Sequence, residues 1–208
     1  MLEHAMASNG LIAILRGLVP AEAVAIGEVL YQEGFRLIEV PLNSPEPYAS
    51  IRLLRDSLPA DCVVGAGTVM SPAQVEQVKA AGGQLIVMPH CDARVLVAAK
   101  AAGLYLAPGV ATPSEAFMAL EHGADVLKLF PAEALPPAAL KAWLAVLPKG
   151  TALVPVGGIN TDNLQAYAQA GAKGFGLGSG LFTPGLAPEE VRQRARRYVA
   201  AFRALRPA

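Results

Sequence analysis

Short apolar segments alternate with amphipathic ones from end to end of the chain, and a glycine closes most of the repeats. The apolar runs predict strands at 11–15, 37–41, 62–66, 85–88, 104–107, 126–129, 153–156 and 174–177. Between them, helical periodicity predicts helices at 21–33, 47–58, 72–81, 93–102, 113–121, 138–147 and 162–170, with a last one at 189–205. Gly34, Gly82, Gly103, Gly123, Gly150 and Gly171 each follow a helix and precede a strand. That is the place where a chain leaves a helix through a left-handed residue, which favours glycine. Ser71-Pro72 and Thr112-Pro113 put a capping hydroxyl before a proline at the first helical position, and Thr112 with Glu115 fits a capping box.

Eight strand–helix units of about 20 to 27 residues predict an α/β fold, a (β/α)8 TIM barrel formed as a single domain over 1–208. A short helix within 2–8 is expected to cover the lower end of the barrel. An open doubly wound sheet is the alternative, but it places its glycine fingerprint after the first strand, where this chain has Arg16-Gly17-Leu18-Val19. Of the 208 residues, 53% are apolar and 16% charged, which supports extensive burial and argues against disorder. A formal net charge of zero gives no field to draw nucleic acid or an anionic membrane, so neither is an expected partner. A local anion site built from backbone amides stays open.

The N-terminus carries Glu3 and His4 and lacks a basic segment leading into a long apolar one, so no signal peptide is expected. No apolar run approaches the ~20 residues of a membrane span. A cytoplasmic location is the expectation, with Cys62 and Cys91 as reduced thiols. Arg192, Arg194, Arg196 and Arg197 on the last helix read as a solvated face.

Barrels of this kind carry their chemistry at the C-terminal ends of the strands. Those positions hold Arg16, Glu39, Thr68, Pro89, Lys128, Gly157-Gly158 and Gly178-Ser179. Lys128 interrupts the apolar run Asp125-Val126-Leu127-Lys128-Leu129-Phe130-Pro131. Desolvation disfavours its charge and lowers its pKa toward the range where a neutral amine attacks a carbonyl. The bland alternatives are a snorkelling lysine at a strand end, or one neutralised by a buried carboxylate. Glu39 interrupts Leu37-Ile38-Glu39-Val40-Pro41 in the same way. It reads either as a structural ion pair with Lys128 or as a general acid/base beside a Schiff-base lysine. Glycines at the ends of the last two strands let backbone N–H groups approach an anion, and the loops after those strands commonly bind phosphate. His4, His90 and His122 are scattered, with His122 expected to face solvent, and His90-Cys91-Asp92 are contiguous, so no metal is expected. Lysine is the only credible nucleophile.

At Ala13-Ile14-Leu15-Arg16, Ile38-Glu39-Val40-Pro41-Leu42-Asn43-Ser44, Gly65-Ala66-Gly67-Thr68-Val69, Leu127-Lys128-Leu129-Phe130-Pro131, Val156-Gly157-Gly158-Ile159 and Gly176-Leu177-Gly178-Ser179, the chain resembles the class I KDPG/KDPGal aldolases. The resemblance covers almost the whole length. It implies a cytoplasmic homotrimer without metal or cofactor that acts on a small phosphorylated keto-acid. It implies Lys128 as the Schiff-base lysine and Glu39 as the acid/base. Arg16 and Thr68 would hold the keto-acid carboxylate, Pro89 would line the pocket, and Gly157, Gly158, Gly178 and Ser179 would bind phosphate.

The branch acting on the gluconate epimer resembles Glu-Val-Thr-Leu-Arg-Thr and Pro-Thr-Gly-Gly where this chain has Glu39-Val40-Pro41-Leu42-Asn43-Ser44 and Pro155-Val156-Gly157-Gly158. This chain is more similar to the branch acting on 2-dehydro-3-deoxy-6-phosphogalactonate. Asn43 and Val156 are therefore the expected specificity positions, and some activity on the gluconate epimer is expected because the swap is worth only ~1–3 kcal/mol. Two rivals remain at this level: a phosphate-binding isomerase or epimerase using Glu39 and Lys128 for proton transfer alone, and a non-catalytic sensor of phosphorylated sugar acids.

Overall fold

The computed structural model describes residues 2–205. Strands β1 (Leu11–Ile14), β2 (Leu37–Pro41), β3 (Val63–Gly67), β4 (Leu85–Val87) and β5 (Tyr105–Ala107) pair in parallel in that order, and β9 (Phe175–Leu177) pairs with β1. Strands β6 (Gly109–Val110), β7 (Leu127–Leu129) and β8 (Leu153–Pro155) form a second parallel set. The result is a single α/β domain with a curled parallel sheet of TIM-barrel type.

The predicted strand at 104–107 is one part of a longer edge. Pro108 has no N–H and breaks it, so β5 pairs with β4 while β6 pairs with β7. The carbonyls on both sides of the break still bind the next segment: Val126 N donates to Leu106 O at 3.1 Å, Lys128 N to Pro108 O at 2.9 Å and Phe130 N to Val110 O at 3.2 Å. Between the other two edges, Lys173 N donates to Leu153 O at 3.0 Å and a bridge joins Val156 to Gly176.

Helices α2 (Pro20–Gln32), α3 (Pro47–Ser57), α4 (Pro72–Ala80), α5 (Ala93–Ala101), α6 (Pro113–Glu121), α7 (Pro137–Leu144), α8 (Leu164–Ala170) and α9 (Pro188–Ala204) follow the strands, and α1 (Leu2–Ser8) precedes them. Their ends obey the expected chemistry. Ser71 Oγ accepts from Gln74 N, and Thr112 Oγ1 accepts from Glu115 N while Glu115 Oε2 accepts from Ala111 N at 2.8 Å. Such caps are worth about 1 kcal/mol each. Gly171 leaves α8 at φ 108, a conformation costly for any residue with a Cβ.

Helix α8 starts two residues later than predicted. Asn160 Oδ1 first accepts from Asp162 N and Asn163 N, a local turn that competes with the helix. A 3-10 turn at Ala132–Ala134, between Pro131 and Pro136, is also new.

Side-chain alternation divides the core in two. Ile38 and Val40 of β2, and Leu127 and Leu129 of β7, join the outer cluster between sheet and helices. Ile12, Ile14, Leu37, Val63, Leu85, Val87, Val126, Val154 and Val156 fill the interior, with Leu2 and Ala5 of α1 packed against them. Successive residues of a strand face opposite sides, so every residue in step with the inner set points into the barrel. Continuing that step upward reaches Arg16, Glu39, Gly67, Pro89, Lys128 and Gly176 in turn.

The arginines of α9 meet the expectation of a solvated face in part: Arg196 and Arg197 are exposed, and Arg192 and Arg194 are half-buried. Arg192 and Arg196, one turn apart, bond Glu33 at 2.9 and 3.0 Å, and Glu33 is only 13% exposed. Helix α9 packs on the end of α2, so Arg196 stays 61% exposed and Arg197 faces solvent, while Arg192 lies half-buried between the helices. His122 is likewise half-buried, with Nδ1 2.8 Å from Met118 O, because the helix end folds the ring back over its last turn.

Candidate active site

Four of the inward residues at the C-terminal ends of the strands, Arg16, Glu39, Lys128 and Gly176, line one cavity of about 500 Å³. Arg16, Glu39, Asn43, Lys128, Val156, Gly157, Gly158, Gly178 and Ser179 all lie on its wall. Glu39 and Lys128 form its floor, directly above the apolar interior that includes Ile12, Val126 and Val154. They are 2% and 7% exposed.

These two groups are neighbours in charge but not partners in a bond. Neither an ion pair nor a hydrogen bond joins them, and Glu39 Oε2 is buried with no hydrogen-bond partner among the described residues. The structural ion pair considered from sequence is therefore not formed. Burial pushes the Glu39 carboxyl up to about 7, against the opposing pull of the Lys128 and Arg16 charges. Burial pulls Lys128 below its ordinary value, the Glu39 charge resists this, and Arg16 adds to it. Lys128 Nζ also lies 4.4 Å from the centroid of the Phe130 ring. A carboxyl that titrates near neutrality beside a depressed amine can exchange protons at pH 7, and the amine is closer to its nucleophilic form.

Room for that carboxyl comes from β3. Glu39 stands opposite Gly65 in register, and a Cβ on Gly67 would overlap the carboxyl itself. Gly67 is thus a site residue that the sequence reading named only within a motif. Arg16, at the rim, donates from Nη1 to Asn43 Oδ1 at 2.6 Å, and the next backbone N–H, Gly17 N, donates to Ser44 Oγ at 2.9 Å. Two adjacent residues after β1 are clamped by two adjacent residues after β2, which fixes where the guanidinium stands.

At the other side of the mouth, Gly157 and Gly158 have φ of 103 and 65 and leave space that the Glu133 side chain fills. Glu133, Phe130, Ile14, Phe182, Thr183 and Pro184 line the cavity without having been singled out from sequence. Glu133 belongs to the unforeseen 3-10 turn, and no spacing pattern marks it. Thr68 and Pro89 are half-buried at the ends of β3 and β4 and are not among the lining residues of this cavity. Thr68 has φ 57, a strained conformation for a β-branched residue. That departure breaks the strand alternation just where Gly67 admits Glu39.

Cys62 and Cys91 are free, and burial pushes both thiols up to about 11. Among the described residues no three His, Cys, Asp or Glu side chains are grouped as metal ligands, and no helix is long and apolar enough to cross a membrane.

Comparison with known proteins points the same way. The family model described as "Aldolase: KDPG and KHG aldolase" matches residues 2–195. The probable 2-dehydro-3-deoxy-6-phosphogalactonate aldolase of Rhizobium meliloti is 46% identical over 195 residues, covering 94% of this chain and 92% of its own. A solved structure described as native KDPGal superimposes with a TM-score of 0.92 at 43% identity, covering 94% of this chain and 95% of its own. The KDPG aldolase of Legionella pneumophila, solved with pyruvate captured as a covalent carbinolamine, has a TM-score of 0.81 at 29% identity and covers 98% of this chain and 97% of its own. With its lysine and carboxyl on the floor of the same kind of barrel, the chain belongs to the KDPG and KHG aldolase family.

Proposed function

We propose that this protein is a class I aldolase that cleaves 2-dehydro-3-deoxy-6-phosphogalactonate to pyruvate and glyceraldehyde 3-phosphate, with overlapping activity on the gluconate epimer. The observation that carries this is the placement of Lys128 and Glu39, unpaired and buried together on the floor of an open cavity.

Neutral Lys128 Nζ adds to the C2 ketone, and Glu39 passes protons as the carbinolamine loses water to an iminium. The Glu39 carboxylate then takes the C4 hydroxyl proton. The C3–C4 bonding pair flows toward the iminium, leaving a lysine-bound enamine and the three-carbon aldehyde phosphate. Protonation at C3 and hydrolysis return pyruvate and free Lys128. Arg16 is suited to grip the keto-acid carboxylate with two donors, and Thr68 and Pro89, just after β3 and β4, complete that end of the pocket in this reading. The N–H groups around Gly157, Gly158, Gly178 and Ser179 cradle the phosphate, so binding energy far from the reaction holds C4 near the carboxyl. Asn43 and Val156 bias the choice of C4 epimer.

We also infer a strict (β/α)8 barrel over 1–208, with the edge at 105–110 counted as one strand. A homotrimeric assembly and a cytoplasmic location follow from the family resemblance in the same reading. Borohydride reduction in the presence of pyruvate is expected to leave a three-carbon adduct on Lys128, and an active preparation without that adduct would reject the covalent route. Lys128→Ala is expected to abolish cleavage.

A further inference from the structure

The two glycine loops at the cavity mouth rest on one helix. From α9, Arg194 Nη1 donates to the carbonyl of Ser179 at 3.2 Å, and one turn later the Tyr198 hydroxyl donates to the carbonyl of Ile159 at 3.4 Å. Residues four apart share a helix face, so a single face reaches both the loop after β8 and the loop after β9. Tyr198 is 5% exposed, and its hydroxyl fills the space where a side chain on Gly180 would stand. Burial raises the phenol pKa, which keeps the hydroxyl a donor. The helix itself is held firmly: Val191, Ala195, Val199 and Phe202 are buried, and Arg192 and Arg196 clasp Glu33 of the preceding layer.

Neither Arg194 nor Tyr198 lines the cavity, so neither is placed to touch substrate. Their effect passes through peptide planes. A trans peptide points its N–H opposite to its carbonyl, so tying Ser179 O to Arg194 turns the N–H of Gly180 away from α9. Gly180 lines the cavity. An anion site made of backbone donors has no side chains to adjust, and its fit depends on the spacing and aim of its loops.

We propose that Tyr198 and Arg194 are positioning residues that set the spacing of the two glycine loops and thereby the enzyme's preference for a phosphorylated substrate. This role rests on reading those loops as the phosphate cup.

The test compares kcat/KM for the phosphorylated keto-acid with that for its dephosphorylated counterpart in the unmodified protein, Tyr198→Phe, Arg194→Met and the double variant. Exchange of the pyruvate methyl protons, which uses Lys128 and Glu39 but no phosphate, checks that the floor of the site is intact. Each single variant is expected to lose about three- to tenfold of the preference for the phosphorylated substrate, through a higher KM. Exchange and turnover of the dephosphorylated compound should stay unchanged. A preference equal to that of the unmodified protein, in variants that pass the exchange check, overturns the role. An unmodified protein without any preference overturns the cup itself, and needs no variant to reveal it. Should Tyr198→Phe not fold, Arg194→Met, at a half-buried surface position, gives the answer alone.

Discussion

The carboxyl of Glu39 occupies the space that a side chain on Gly67 would fill. Strand β3 thereby yields its inward position to the neighbouring strand, and the carboxyl gains a seat below the rim. Gly67→Ala is expected to push the carboxyl off that seat. A misplacement of about 1 Å at a reacting group costs on the order of a hundredfold in rate. Cleavage should fall by about that factor while borohydride still traps pyruvate on Lys128. Near-normal turnover in the alanine variant would show that the seat is not needed.

The burial of Glu39 also predicts how stability depends on pH. Its carboxyl stands at about 7 in the folded chain against an ordinary 4.5. Between those values the folded state holds a proton that the unfolded state has released. The contribution to stability is therefore greatest below pH 4.5 and is lost as pH rises through 7. Integrated over the window, the loss is about 3 kcal/mol. Glu39→Gln cannot release that proton, so its stability relative to the unmodified protein should rise by about this amount from pH 4 to pH 8. Denaturant unfolding at several pH values measures the difference, and a flat difference would contradict the buried, unpaired state of the carboxyl.

Arg16 and Asn43 make a second checkable pair. The guanidinium is exposed, so its 2.6 Å bond to Asn43 orients it rather than adding much stability. Asn43→Ala should leave the melting temperature nearly unchanged and raise KM for the keto-acid by about fivefold, in keeping with about 1 kcal/mol for one such bond. Asn43→Asp places a carboxylate against Arg16, and there the guanidinium is diverted from the substrate, with a larger rise in KM. Inhibition by pyruvate should weaken in parallel in both variants. Unchanged pyruvate inhibition in Asn43→Asp would separate Arg16 from carboxylate binding.

Thr68 offers a contest between strain and function. Its φ of 57 costs about 1 kcal/mol for a residue with a branched Cβ. Thr68→Gly should relieve most of that strain and stabilise the fold, while weakening the keto-acid site if the hydroxyl serves it. Paired measurements of unfolding midpoint and KM decide the matter. A variant that is neither more stable nor impaired would leave the conformation at 68 without consequence.

Much of the scaffold was legible because its rules are local. Gly34, Gly82, Gly103, Gly123 and Gly171 adopt positive φ at helix exits, and the hydroxyls of Ser71 and Thr112 cap the helices they precede. Gly150 also has positive φ, but in a separate turn six residues beyond the end of α7 at Leu144. Lys128 and Glu39 were legible for a related reason: a charge inside an apolar strand must be accounted for by its surroundings. What escaped depended on contacts between distant segments. The break at Pro108 is a matter of which neighbour each half of the edge meets, and the seat at Gly67 depends on the register of β2 against β3. The bonds of Arg192 and Arg196 to Glu33 escaped because a sequence window does not contain Glu33, more than 150 residues away.

Val156 gives the sharpest test of substrate choice. It is buried, lines the cavity and bridges to Gly176, whose missing side chain leaves room for the valine methyls. Val156→Thr replaces one methyl by a hydroxyl of nearly the same size, so the wall keeps its shape and gains a hydrogen-bonding group facing the sugar-acid chain. One such exchange is worth ~1–3 kcal/mol in discrimination, or roughly 10- to 200-fold. The ratio of kcat/KM for the galactonate epimer to that for the gluconate epimer is expected to fall by about tenfold or more in this variant. Pyruvate trapping on Lys128 should be unaffected, since pyruvate has no C4 hydroxyl for the new group to read. A ratio that does not move would place epimer choice elsewhere on the wall, with Asn43 the next residue to exchange.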